Sequence, residues 1–207
     1  MEEALLLLEG ADEAHIRLKH SAGGLAVTSG TRPGELLQGT FAGGVRIWRE
    51  FLGNTLRIDL RTPWGRFWPW FFWAGRGHGL DWDIKLNADV STALYVETGA
   101  SRSELDLEEM QLVEGVFKIG VGSAQMTLPG RAGFSRVLIE SGMASVMVQV
   151  PAGVAARIRP QGGCATIIVD ERRFPRAGSL YCSPDYESAE NKVDLILKAG
   201  ISIVDIR

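Results

Sequence analysis

Residues that carry chemistry are scarce in this chain of 207 amino acids, which has two cysteines and three histidines. Cys164 and Cys182 are too few for a disulfide framework and show no CxxC spacing, so both read as reduced thiols. His15 and His20 stand five apart on an expected strand, which turns them to opposite faces and denies them a common metal ion without a bend. Each reads as a surface residue of that strand. His78 lies in a glycine-rich loop with no thiol or carboxylate cluster near it in sequence. Asp81 with Asp83, Glu108 with Glu109 and Asp170 with Glu171 are neighbouring acids of the kind that solvent covers, with nothing to set one apart as acid and the other as base. Neither a Gly-x-Ser-x-Gly elbow nor a His-Glu-x-x-His pair occurs. Gly75-x-Gly-x-Gly79 has neither the spacing of a dinucleotide fingerprint nor a helix behind it to receive a phosphate. No catalytic residue, cofactor or metal site is expected, and the chain reads as a protein that is not an enzyme.

An excess of one charge is also missing. With 22 Lys and Arg against 25 Asp and Glu the formal charge is −3, so no whole-surface attraction draws the chain to phosphate, and nucleic acid is excluded as an expected partner. The one dense basic run, Arg172, Arg173 and Arg176, shares a turn-like stretch with Pro175 and Gly178 and reads as a solvated loop. Long apolar runs are absent as well. No window approaches the ~18 to 20 residues of a membrane span, and Met-Glu-Glu before Leu5 to Leu8 lacks the basic start and the ~7 to 15 apolar residues of a signal core. The expected setting is cytoplasmic, with any membrane contact peripheral.

Glycine, by contrast, is abundant at 25 residues beside 8 prolines, without the strict third-residue period of collagen. Its placement is repetitive. From about residue 92 the chain repeats a short alternating apolar stretch, a glycine bend, a second alternating stretch and a polar turn. Bends at Gly99, Gly122, Gly142 and Gly162 fall 23, 20 and 20 residues apart, a period near 21. A last copy closes at Gly200 after a longer polar interval from Asp170 to Asn191, and an early one, from His15 through Gly23, opens the chain. Phe117, Ile119 and Val121 against Lys118 exemplify the alternation that puts one apolar row on one face of a strand. A coil of this length, with two short strands that bury their apolar rows against the coils above and below, describes a β-solenoid. Glycine at the bend then meets a demand for positive φ or close approach between coils. An antiparallel β-sandwich of hairpins is the alternative. The expected organisation is a single all-β domain over 1–207: N-terminal strands over 1–62, an aromatic-rich loop or insertion over 63–83, and regular coils over 84–207.

That insertion holds five of the six tryptophans, all but Trp48. Trp64, Phe67, Trp68, Trp70, Phe71, Phe72 and Trp73 break the alternation around Pro69, which marks a long loop. Tryptophan joins a large apolar body to one polar N–H and suits partner interfaces and the headgroup layer of membranes. These residues are candidates for contact with a protein partner or a lipid surface, and a cap over the open end of the stack remains the structural alternative.

The stretch from Tyr181-Cys-Ser-Pro184-Asp-Tyr186 through Asn191 to Gly200, preceded by Asp170-Glu-Arg-Arg-Phe174, resembles the C-terminal signature of bacterial toast-rack domains. Leu128-Pro-Gly130, Val150-Pro-Ala-Gly153 and Trp82-Asp-Ile-Lys-Leu-Asn87 are similar to further parts of the same domains. These occur in LiaF-like and phage-shock-type envelope-stress proteins and are related to adhesin-head β-helix domains. The resemblance implies a stacked, right-handed β-helix-like fold and a non-enzymatic role in scaffolding or sensing at the cell envelope, with a protein partner or self-association. This chain lacks the membrane spans usually fused to such domains. A carbohydrate-binding or adhesin-like β-helix is the alternative function. The charged residues that repeat in the coils, Glu97, Lys118, Glu140 and Arg157, look scattered, in no arrangement that supports that alternative.

Overall fold

The computed structural model describes residues 1–63, 80–162 and 164–207. They form fifteen strands and no helix. Four of them, β2 (Glu13–Ser29), β7 (Ser91–Asp106), β8 (Leu112–Thr127) and β9 (Phe134–Gln149), are 16 or 17 residues long. Each is the pair of short strands expected from sequence, run together through the bend as one folded ribbon. They lie side by side in parallel register, β2 beside β7, β7 beside β8 and β8 beside β9. Parallel pairing rules out the sandwich of hairpins and makes each ribbon one turn of a β-helix-like solenoid.

The bend divides every ribbon into two limbs, and the limbs stack into two walls. β5 (Thr55–Arg61), β14 (Lys192–Ala199) and β10 (Ala155–Gln161) extend the first wall, while β6 (Trp82–Leu86), β15 (Ile203–Ile206) and β11 (Thr166–Val169) extend the second. Because side chains alternate, every second residue enters the space between the walls. Leu18, Val96, Phe117, Ile139 and Leu197 form one inward row of the first wall, all at most 2% exposed. Val27, Leu105, Met126, Val148 and Ile206 form its counterpart on the second, and both belong to a single core. Each such side chain contributes about 1.5–3 kcal/mol on leaving water, so the stack is held by rows that no single coil could bury. Gly115 belongs to this packing: a Cβ there would meet the Phe117 ring at 2.7 Å.

Spatial order departs from chain order at both ends. The last coil, β14 and β15, slots between β9 and the preceding coil, β10 and β11. At the other end β2 is flanked by β5 and β6 on one side and by β7 on the other. The outer coils are finished by antiparallel strands: β4 (Arg46–Leu52) on β5, β3 (Glu35–Phe41) with β1 (Glu2–Leu7) on β6, and β13 (Leu180–Cys182) with β12 (Arg176–Ala177) on β10. Such hairpins blunt edges that would otherwise template further pairing.

At the bends the reading from glycine spacing needs correction. Gly99, Gly120 and Gly142 occupy the same place in successive ribbons, followed by Gly200 in the inserted coil. Gly122 lies two residues past that place, beside Ser101 and Ala144, and Gly162 abuts Ala199. Close approach is the reason for the ladder: a Cβ on Gly120 would lie 2.7 Å from the Gly99 carbonyl oxygen, and one on Gly142 2.7 Å from that of Gly120. Coils stacked at roughly 4.8 Å leave no space for a side chain aimed along the stack. Gly122, at φ 129°, and Gly23, which stands at the same place in β2 at φ 104°, add the conformational demand.

His20 is the other correction. It is 2% exposed, on the inward side of the bend, with its Nε2 donating to the Leu80 carbonyl at 2.8 Å and its ring 5.1 Å from that of Trp82. The strand does alternate, so His15 is exposed, but the second limb brings Trp82 over the inward face. Burial lowers the imidazole pKa below its ordinary value, against the raising effects of Leu80 and Asp81.

Candidate functional site

The outward residues of the first wall fall into three rows that run across the coils. The row nearest the bend alternates in sign: Lys19, Glu97, Lys118, Glu140 and Lys198 stand on adjacent strands. Lys19 reaches Glu97 at 2.9 Å, and Glu140 is held by Lys118 at 3.0 Å and by Lys198 at 3.2 Å. Hydrogen bonds from Lys19 and Tyr95 keep the Glu97 carboxyl below its usual range, against partial burial, and those from Lys118 and Lys198 do the same for Glu140. Exposed pairs of this kind add little to stability. Their effect is to hold a fixed pattern of charge across five coils.

Glu97, Lys118 and Glu140 are therefore ordered after all. The signal was their spacing of 21 and 22 residues, which equals the repeat, whereas Lys198 sits far along the chain because its coil is inserted out of order. Arg157 belongs to a second cluster. It and Arg159 bond Asp194, at 3.2 and 2.8 Å, and Asp194 is 5% exposed. The Arg157 guanidinium also lies 4.7 Å from the centre of the Tyr186 ring.

The middle row carries Tyr95, Val116, Leu138 and Ile196, all half-buried. At its β4 end the wall opens into a groove of about 890 Å³. Trp48 of β4 stands at one rim, 54% exposed. The floor crosses β5, β2, β7 and β8 and is formed by Arg57 and Asp59, His15 and Arg17, Ala93 and Tyr95, and Glu114 and Val116. Ala93 makes the depression, since its neighbours in the row are His15 and Glu114. Arg17 is braced 4.8 Å over the Tyr95 ring. Asp59 is taken up by Arg61 at 2.6 Å, which lowers its pKa against partial burial. Among the described residues, Arg17, Arg57, Glu50 and Glu114 form no ion pair, so the groove keeps unused donors and acceptors side by side.

A different surface lies at the bend. Just past the glycine ladder, Val121 and Met143 are neighbours, and Ile201 follows, its N–H donating to the Gly142 carbonyl at 2.9 Å. They are 53%, 58% and 65% exposed, a ridge of large apolar side chains along one corner. The candidate contact residues Trp64, Phe67, Trp68, Trp70, Phe71, Phe72 and Trp73, like His78, lie outside the described residues. The flanks of that segment are placed: Thr62 donates from its N–H to Lys19 at 3.1 Å, and Leu80 accepts from His20. Both flanking residues are at the bend. Trp82, by contrast, is a core residue, 1% exposed in β6.

Among the described residues no group of three or more His, Cys, Asp or Glu side chains is arranged to hold a metal ion. Cys182 is half-buried, and burial raises its thiol pKa, with Arg157 opposing. The carboxylate of Asp81 accepts from the Gly24 N–H at 2.7 Å, and that of Asp170 accepts from Arg172, so each acts on the local backbone.

The chain matches a family model described as "N-terminal domain of toast_rack, DUF2154" over residues 2–149. No curated protein matches it in sequence. Among solved structures, a candidate cell adhesion protein from Clostridium sporogenes superposes with a TM-score of 0.81, over 99% of this chain and 97% of its own, at 19% identity. That is a likeness of fold. A candidate adhesin from Bacteroides fragilis, at 6% identity over 100% of this chain and 96% of its own, has a TM-score of 0.35.

Proposed function

From the premise that this chain belongs to the toast-rack N-terminal domain family, we propose that it is a non-enzymatic interaction module that scaffolds or senses in the bacterial cell-envelope stress response. The observation that carries this reading is the corner ridge. Val121, Met143 and Ile201 expose more than half of their surface in one line, while the inward rows of the same ribbons are sealed. Contiguous exposed apolar residues of this size mark contact surfaces more often than they serve the monomer. Thr62 and Leu80, which flank the aromatic segment, lie at the bend, and the reading gives Trp64, Phe67, Trp68, Trp70, Phe71, Phe72 and Trp73 to the same contact. The occupant is a protein partner or a second copy of this chain, in a cytoplasmic setting where the aromatic residues add peripheral contact with lipid.

Light scattering of the intact chain, together with affinity capture from the source cell, tests this. The expected result is an oligomer or a reproducible partner, lost in a Val121→Asp/Met143→Asp double variant. A strict monomer that captures nothing would overturn the reading, and so would identical capture by the variant. A second reading, carbohydrate-binding in the manner of an adhesin, is favoured by one observation, the groove beside Trp48 with its unused donors and acceptors.

A further inference from the structure

We propose that the groove running from β4 to β8 across the first wall binds a neutral oligosaccharide, with Trp48 as its stacking platform and Arg17, Arg57, Glu50 and Glu114 as the groups that read its hydroxyls. The inference rests on the carbohydrate reading and gives it a site. Four features of the groove specify that ligand. Its volume of about 890 Å³ lies in the range of small-ligand sites. It crosses five adjacent strands, roughly 19 Å at the usual strand spacing, which is the length of about three to four pyranose rings.

The polar lining is balanced. Arg17 and Arg57 present only donors, Glu50 and Glu114 only acceptors, and among the described residues none of the four is spent in an ion pair. A purely anionic ligand would face the two carboxylates, and a purely cationic one the two guanidinium groups. A chain of hydroxyls satisfies both kinds, because each hydroxyl donates and accepts. The third feature is preorganisation. Tyr95 supports the Arg17 guanidinium from below at 4.8 Å, and Asp59 is withdrawn from the ligand by Arg61, so Arg17 is held in place before binding and loses little freedom on it. The fourth is the exposed indole of Trp48 at the rim, an apolar face for the C–H side of a sugar ring. A peptide fits less well. The groove crosses the strands, and the backbone groups of β5, β2, β7 and β8 on its floor are spent in pairing, so none is left for strand addition.

The test is a glycan array carrying neutral and acidic structures, followed by saturation-transfer NMR and calorimetry on the full chain with cellotetraose and chitotetraose. Binding of at least one neutral glycan is expected, weakened roughly tenfold or more in Trp48→Ala, as for loss of an aromatic anchor, and weakened also in Arg17→Gln. Trp48 is largely exposed and carries no core packing, and far-ultraviolet circular dichroism with an unchanged melting profile checks that each variant is folded. The Val121→Asp/Met143→Asp variant retains full glycan affinity. Absence of any neutral glycan binding overturns the proposal. So does binding confined to acidic glycans or to peptides, and so does binding that folded Trp48→Ala and Arg17→Gln leave untouched. Partner capture reads the corner ridge and not the groove, so a failure here is distinct from a failure of the partner reading.

Discussion

Replacing Gly120 by alanine sets two opposite effects against each other, and the structure decides the sign. In the unfolded chain the substitution removes backbone freedom, which by itself stabilises the fold by about 0.4–1 kcal/mol where the native site accepts a Cβ. Here the site does not accept one. The new Cβ would stand 2.7 Å from the Gly99 carbonyl oxygen and 2.9 Å from that of Thr98, whereas ordinary contact begins at 3.4 Å. Relief requires β7 and β8 to part locally by about half an ångström, in the middle of a parallel ladder and above the Phe117 row. Overpacking of this kind costs about 1–3 kcal/mol, so the net effect is a loss of roughly 1–2 kcal/mol. Urea unfolding followed by fluorescence reads this as a midpoint lowered by about 0.5–1 M for a slope near 2 kcal/mol per M. The neighbours rank themselves. Gly142→Ala meets one carbonyl at 2.7 Å and its other contacts beyond 3.5 Å, so it should cost less than Gly120→Ala. Gly122→Ala adds strain at φ 129° to a still closer approach to Ser101, so it should cost most. A midpoint for Gly120→Ala that is unchanged or higher would refute the claim that spacing between coils, not chance, keeps glycine there.

Two further predictions concern charge. Glu140 lies between Lys118 and Lys198, so Glu140→Lys places three cations side by side and should lower the unfolding midpoint modestly at about 10 mM salt but not at about 1 M; equal loss at both would mean that the row does not act through charge. His20 has its pKa lowered by burial, so on acidification the unfolded state takes up its proton first. Stability is then full above pH 6.5 and falls from there toward the lowered folded value, by at most about 1.4 kcal/mol per pH unit. Asp59, Glu97 and Glu140, whose folded values are also lowered, keep their contribution through this window and lose it only below the ordinary carboxylate range. Urea midpoints at pH 7.5 and about 5.5 should therefore differ in the parent and much less in His20→Gln, and an equal drop in both would remove His20 as the cause.

Phe117 and Ile119 were legible as inward members of a strand because alternation is a local property, set by the geometry of a single extended chain, whereas Val121, expected on the same face, lies past the bend and is exposed. The bend glycines were legible as bends for the same reason. Their alignment was not: Gly120 and Gly122 are two residues apart, both could start the repeat, and only the pairing of Thr98 with Ile119 selects Gly120. The outward charges show the same limit. Glu97 and Lys118 look scattered in a line of text and adjoin in space, because a parallel register turns the repeat length into a distance of one strand. His20 reads as a surface residue until the second limb lays Trp82 over it.

By itself, then, the sequence determined a stacked all-β architecture, since alternation and a repeat near 21 residues leave few other ways to bury the apolar rows, and it identified the scarcity of groups suited to catalysis. Tertiary structure alone decided which coil lies beside which. The last coil enters between β9 and β10, and that step brings Lys198 to Glu140 and Asp194 between Arg136 and Arg157. No local pattern encodes such an insertion, because the inward rows of all the coils are chemically alike and the choice among neighbours is made by how well whole coils pack. The groove at Trp48 arises in the same way, from an antiparallel strand that closes one end of a wall whose other members are far away in the chain.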